Sequence, residues 1–79
     1  MQTIKANTTT KGSNAFFSID GKEIARTYSD WYNKGRFAGQ FGPFASCNNE
    51  GFADAVEFIS DAIENHFAAF GLNVEFVNA

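Results

Sequence analysis

From Phe52 to Phe70 the apolar side chains recur at Ala55, Val56, Ile59, Ala62, Ile63 and Phe67, the 3.6-residue spacing of one helix face. A helix with one apolar stripe must bury it against another layer. The chain supplies no second helical period, so that layer has to be built from strands. The spacing predicts one helix over Asn48–Phe70, with Ser46, Asn48 or Asn49 as its N-cap. Gly71 stands where a left-handed residue closes a helix.

The strands are read from alternation of period two. Gln2–Thr8 places Ile4 and Ala6 on one side and Thr3, Lys5 and Asn7 on the other, and a polar turn over Thr8–Asn14 follows. Ala15–Ile19 alternates Ala15, Phe17 and Ile19 with Phe16 and Ser18. Asp20-Gly21 is a type I′ hairpin turn, because glycine accepts the positive φ such a turn needs. Lys22–Tyr28 returns as a third strand. A second turn around Asp30–Gly35 leads to Arg36–Phe41, where Gly39 and Gly42 mark a bulge or bend and Pro43 closes the meander. After the helix, Asn73–Val77 alternates as a last strand. It pairs either beside the fourth strand through a right-handed crossover or antiparallel to the first. The expected fold is α+β: a mainly antiparallel sheet in the order β-β-β-β-α-β, with one amphipathic helix packed on one face.

Residues 1–79 are read as a single domain, since domains usually span about 50–250 residues. Ten Phe against one Leu, Leu72, imply a core of aromatic rings and alanines. No apolar run follows Lys5, so neither a signal peptide nor a membrane span is expected. The single Cys47 forms no internal disulfide, and with the single His66 it makes no structural zinc site. These features place the chain in the reducing cytoplasm. No metal or cofactor is expected.

The charges are unevenly divided. Residues 1–40 hold all six basic side chains against three acidic ones, a net of +3, whereas residues 41–79 hold six acids and no Lys or Arg, a net of −6. At 100° per residue, Glu50, Asp54, Glu57, Asp61 and Glu64 fall between about 120° and 200° from Phe52, opposite the apolar stripe. Like charges at these spacings repel, costing about 1–2 kcal/mol over the four neighbouring pairs. An ordinary solvated face would interleave Lys or Arg, and this one has neither. A regular row of carboxylates is suited to a basic cleft that normally receives a phosphate backbone. Phe58, at about −120°, lies beside the row and either packs under a loop or strand or serves as an apolar anchor in an interface.

Two other sets of residues compete for a role. Trp31 and Tyr32, with Lys22, Arg26, Lys34 and Arg36, pack at the core edge or form a stacking platform with phosphate contacts for single-stranded nucleic acid. Phe16 and Phe17 put apolar bulk on both sides of the second strand, as a homodimer covering the second face of the sheet would require. Cys47 near the helix start is read as a buried structural thiol, and His66 as a partly buried ring. A carboxylate row pointing into solvent offers no cavity to separate two pKa values, and no phosphate-cradling glycine motif occurs. The chain is therefore read as non-enzymatic.

A short, acidic, Phe-rich chain carrying Glu50, Asp54, Glu57, Asp61 and Glu64 on one helix resembles the small inhibitors by which bacteriophages disarm host defences, of which anti-CRISPR proteins are the best-known class. The resemblance implies an inhibitor without a catalytic site, which occupies the nucleic-acid-binding surface of a CRISPR effector. The expected contact residues are those five acids with Phe58. The expected partner is a basic nucleic-acid-binding protein, with no membrane involved.

Overall fold

The Asp20-Gly21 turn forms as its sequence requires, with φ of 53° and 79° at its two residues. It joins the second and third of six strands in a computed structural model that describes residues 2–78. In chain order the elements are β1 (Gln2–Lys11), β2 (Asn14–Ile19), β3 (Lys22–Ser29), β4 (Phe37–Phe41), β5 (Ala45–Asn49), α1 (Phe52–Ala68) and β6 (Leu72–Asn78). The sheet order is β5-β4-β3-β2-β1-β6. All neighbours are antiparallel except β1 and β6, which run parallel. The α+β class with one helix on one face stands, and the element order is β-β-β-β-β-α-β.

Five local expectations are corrected. Ala45–Asn49 is a strand and not a helix cap, because Ala45, Cys47 and Asn49 turn inward while Ser46 and Asn48 face out. Pro43 sits in the turn before it, where Phe44 N–H donates to the Phe41 carbonyl at 2.9 Å, so the meander continues past the proline. The helix consequently begins at Phe52, with Gly51 at the N-cap position and no side-chain cap, and it ends at Ala68, leaving Phe70 exposed. The final strand takes neither anticipated position: Ile4 pairs with Val74 and Ala6 with Phe76, in parallel. Gly42, with φ of 49°, does open the turn after β4, but Gly39 lies in regular strand and the bulge is elsewhere. It falls where Phe17 opposes Ala25 and Ser18 opposes Glu23, which leaves Ile24 unmatched.

Register assigns the two faces. Ala6, Ala15, Phe17, Ala25, Thr27, Gly39 and Phe41 lie under the helix, against Ala55, Ile59 and Ile63. Only Phe17 and Phe41 of the ten Phe are buried, so the core has the alanines that composition implied but fewer rings, with Ile59 and Ile63 in their place. The approach is tightest at Gly39, where a Cβ would stand 2.6 Å from Ile59 Cγ1. The other face of the sheet is covered by no element among the described residues, and it displays Lys11, Phe16, Arg26 and Tyr28. No helix among the described residues is long and apolar enough to cross a membrane.

Candidate functional site: an acidic helix face and an aromatic loop

Because α1 buries Ala55, Ile59 and Ile63, its opposite face is fixed toward solvent. Asp54, Glu57, Asp61 and Glu64 are all exposed there, and none is bridged by a cation among the described residues. The first-turn position of Asp54 is favoured by the helix dipole, an aid the later acids lack. Glu50 precedes the helix and is held otherwise: its carboxylate lies 3.6 Å from Arg36 Nη1, and its side chain is 88% exposed.

Asn49, Asp54, Glu57, Phe58 and Asp61 line one shallow, open groove between the helix and the edge strand β5. Phe58 is 46% exposed, so it is neither packed under a loop nor stranded in solvent. It forms an apolar flank to three carboxylates. Glu64 faces a separate depression shared with Asn65 and the start of β6. The structure thus brings Asp54, Glu57, Phe58 and Asp61 together and sets Glu50 and Glu64 at the two ends of the row.

The basic and aromatic set is divided. Trp31, Lys34 and Arg36 share the loop between β3 and β4, whereas Lys22 begins β3, about 23 Å away at the rise of an extended strand. Arg26 lies between them on the open sheet face, holding Glu23 at 2.9 and 2.6 Å, with its guanidinium 5.7 Å from the centre of the Phe16 ring. Trp31 and Tyr32 are 86% and 90% exposed and do not pack at the core edge.

The loop carrying them is nonetheless highly connected. Asp30 Oδ1 accepts from the backbone N–H groups of Tyr32 and Asn33 at 3.0 and 3.2 Å, and Oδ2 accepts from the side chains of Asn33 and Asn48 at 3.1 and 2.7 Å. Arg36 completes the closure by donating to the Asn48 side chain and, at 2.9 Å, to its backbone carbonyl. The hydrogen bonds from Asn33 and Asn48 hold the Asp30 carboxyl at about 2, below its ordinary 3.8. Sequence reasoning gives neither Asp30 nor Asn48 this role. The Asp-x-x-Asn spacing is a local turn signal, but the partner Asn48 lies 18 residues away and leaves no trace in the pattern.

The remaining candidates are structural. Cys47 turns inward, and burial pushes its thiol up, away from the reactive thiolate. His66 is partly buried among Phe41, Phe44, Phe67 and Phe70, its ring centre 4.3 Å from that of Phe44. Among the described residues no three side chains are gathered to hold a metal ion. No family model, no curated protein and no solved structure matches this chain.

Proposed function

We propose that this chain is a non-enzymatic inhibitor that binds a basic nucleic-acid-binding surface of a host defence complex through its acidic helix face. In this it resembles the anti-CRISPR proteins that act on a CRISPR effector. One observation carries the reading: Asp54, Glu57 and Asp61 are exposed without a cation partner among the described residues, beside the half-exposed ring of Phe58 in one groove. Neighbouring carboxylates of the row stand on Cβ atoms about 5–6 Å apart, a spacing at which Lys and Arg side chains of a phosphate-binding cleft can pair with each in turn.

Charge and anchor have separate tasks. The carboxylates speed encounter and set orientation, while Phe58 contributes affinity once water has left the groove. Glu50 and Glu64 extend the row and add to its field at low salt. As an inhibitor, the chain acts in the host-cell cytoplasm, where such complexes meet nucleic acid. It needs no cofactor, because occupation of the cleft is the whole of its action.

The test is a mobility shift with purified CRISPR effector complexes of several types and their target DNA. Added before the DNA, the chain prevents loading of at least one complex; added afterwards, it does not. A chain that leaves DNA loading by every complex unchanged overturns the reading.

A further inference from the structure

The helix acids account for one side of the molecule only. On the other side, register places Lys11, Phe16, Arg26 and Tyr28 on a sheet face that nothing among the described residues covers. Phe16 stands directly opposite Arg26, and Tyr28 follows two residues along β3, 39% exposed. Where β3 ends, the Asp30-centred loop carries Trp31 and Lys34 onward at the same end of the sheet. Exposed rings and cations therefore run from mid-sheet to the loop. We infer that this upper part of the open sheet face is a binding site for single-stranded nucleic acid, with bases stacked on Phe16, Tyr28 and Trp31 and phosphates held by Lys11, Arg26 and Lys34.

The chemistry favours that occupant. Bases of any sequence present flat π faces to aromatic rings, and a cationic margin tracks the backbone. Arg26 is oriented by Glu23 yet remains 54% exposed, so its guanidinium is placed without being removed from solvent. The loop aromatics are also placed in advance. The bonds that hold Asp30 to Asn33 and Asn48, and Arg36 to Asn48, fix the loop that carries the Trp31 and Tyr32 rings, so binding has to order the rings' own rotamers but not the loop. A second copy of the chain fits less well. Face-to-face pairing would bring Lys11 and the Arg26–Glu23 pair against their own copies, with only the part-exposed rings of Phe16 and Tyr28 as apolar area in this part of the face. The helix carboxylates lie on the reverse side, beyond the roughly 10 Å between layers and the further ~5 Å of the helix's own radius. That exceeds the Debye length of about 10 Å at 0.1 M salt, so they weaken binding without abolishing it.

The probes are fluorescein-labelled dT12 and rU12, followed by anisotropy and by the emission of Trp31, the single tryptophan. At about 50 mM salt the expected result is saturable binding, with quenching of Trp31. For about three phosphate contacts, log K should fall with log salt at a slope near −2. Tyr28→Ala and Trp31→Ala should each weaken binding about fivefold or more while leaving the melting temperature near wild type. Lys34→Glu should lower the salt slope. Phe16 is partly buried, so the more exposed Tyr28 and Trp31 carry the test without it. Lys in place of Asp54, Glu57 and Asp61 should leave oligonucleotide binding intact or strengthen it, whatever it does to effector inhibition, so the two surfaces stand or fall separately. Absence of saturation at about 500 µM protein overturns the inference, as does binding indifferent to Tyr28 and Trp31. So does a dimer, seen by light scattering, that buries Tyr28 and persists with excess oligonucleotide.

Discussion

Replacing Gly39 with Ala tests the packing that aims both faces of the molecule. Gly39 has no positive φ, so its backbone would accept alanine, and on conformational entropy alone the change should stabilise by about 0.4–1 kcal/mol. The structure reverses the sign. The new Cβ would stand 2.6 Å from Ile59 Cγ1, 2.9 Å from Cys47 Sγ and 3.0 Å from Ile59 Cδ1. Carbon atoms prefer about 3.5–4.0 Å, so the helix would have to lift by about 1 Å or Ile59 would have to leave its rotamer. Ile59 is fully buried, with nowhere to turn. Overpacking of this kind costs about 1–3 kcal/mol, which for a domain of this size lowers the melting temperature by about 4–8 °C per kcal/mol. The assay is thermal and urea unfolding of Gly39→Ala, Ile59→Ala and the double variant. Ile59→Ala alone should cost about 2–5 kcal/mol. Removing its Cγ1 and Cδ1 should relieve two of the three close approaches and leave the one to Cys47 Sγ, so Gly39→Ala should cost clearly less in that background, a coupling of about 1 kcal/mol or more. Equal effects of Gly39→Ala in both backgrounds, or a stabilised single variant, would show that the helix does not close on β4 at this point.

Thr27 lies fully buried in the sheet under the helix, and its hydroxyl has no hydrogen-bond partner. Thr27→Val should therefore raise stability by about 1 kcal/mol, read as a higher urea midpoint; a lower midpoint would mean that the hydroxyl is satisfied. The Asp30 carboxyl is held at about 2 against an ordinary 3.8, so its folded pKa is depressed. Its stabilisation of the loop is present above the ordinary value and is lost as pH falls through about 2. Trp31 emission or loop amide shifts followed from about pH 5 to about pH 1.5 should turn over near the lower value, and Asp30→Ala should remove the transition. A midpoint near 3.8 would refute the hydrogen bonds from Asn33 and Asn48.

The helix could be read from sequence because its stripe is repeated over four turns, and the burial of Ala55, Ile59 and Ile63 follows that stripe. The Asp20-Gly21 hairpin was equally legible, since a two-residue turn depends on little beyond its own backbone. β5 was not. Its inward residues, Ala45, Cys47 and Asn49, are small or polar, and an edge strand needs a neighbour on one side only. The parallel pairing of β6 with β1 joins residues about seventy apart, and alternation within a strand says which face a residue takes but not which strand lies beside it. The acid row was legible because exposure on a helix is set by the same stripe that fixes burial. The groove beside Phe58 depends on β5 and so was hidden with it. The unmatched Ile24 shifts parity along β3, which obscured that Arg26 and Tyr28 share the open face with Phe16.

The most direct test of the acidic face is the triple variant Asp54→Lys, Glu57→Lys and Asp61→Lys, compared with wild type for blocking DNA loading by a purified CRISPR effector complex. All three side chains point away from the core, and the change gains one favourable helix pair, with Glu64, while like charges remain between positions 54, 57 and 61. The melting temperature should therefore stay near wild type, since that pair is worth a few tenths of a kcal/mol and the loss of Asp54 from the first turn costs about as much. Wild-type blocking should weaken as salt rises from about 0.1 M to 1 M and the Debye length falls from about 10 Å to 3 Å. The triple variant should fold and block nothing at any salt. A folded triple variant that blocks loading as well as wild type would show that the acid row is not the binding surface.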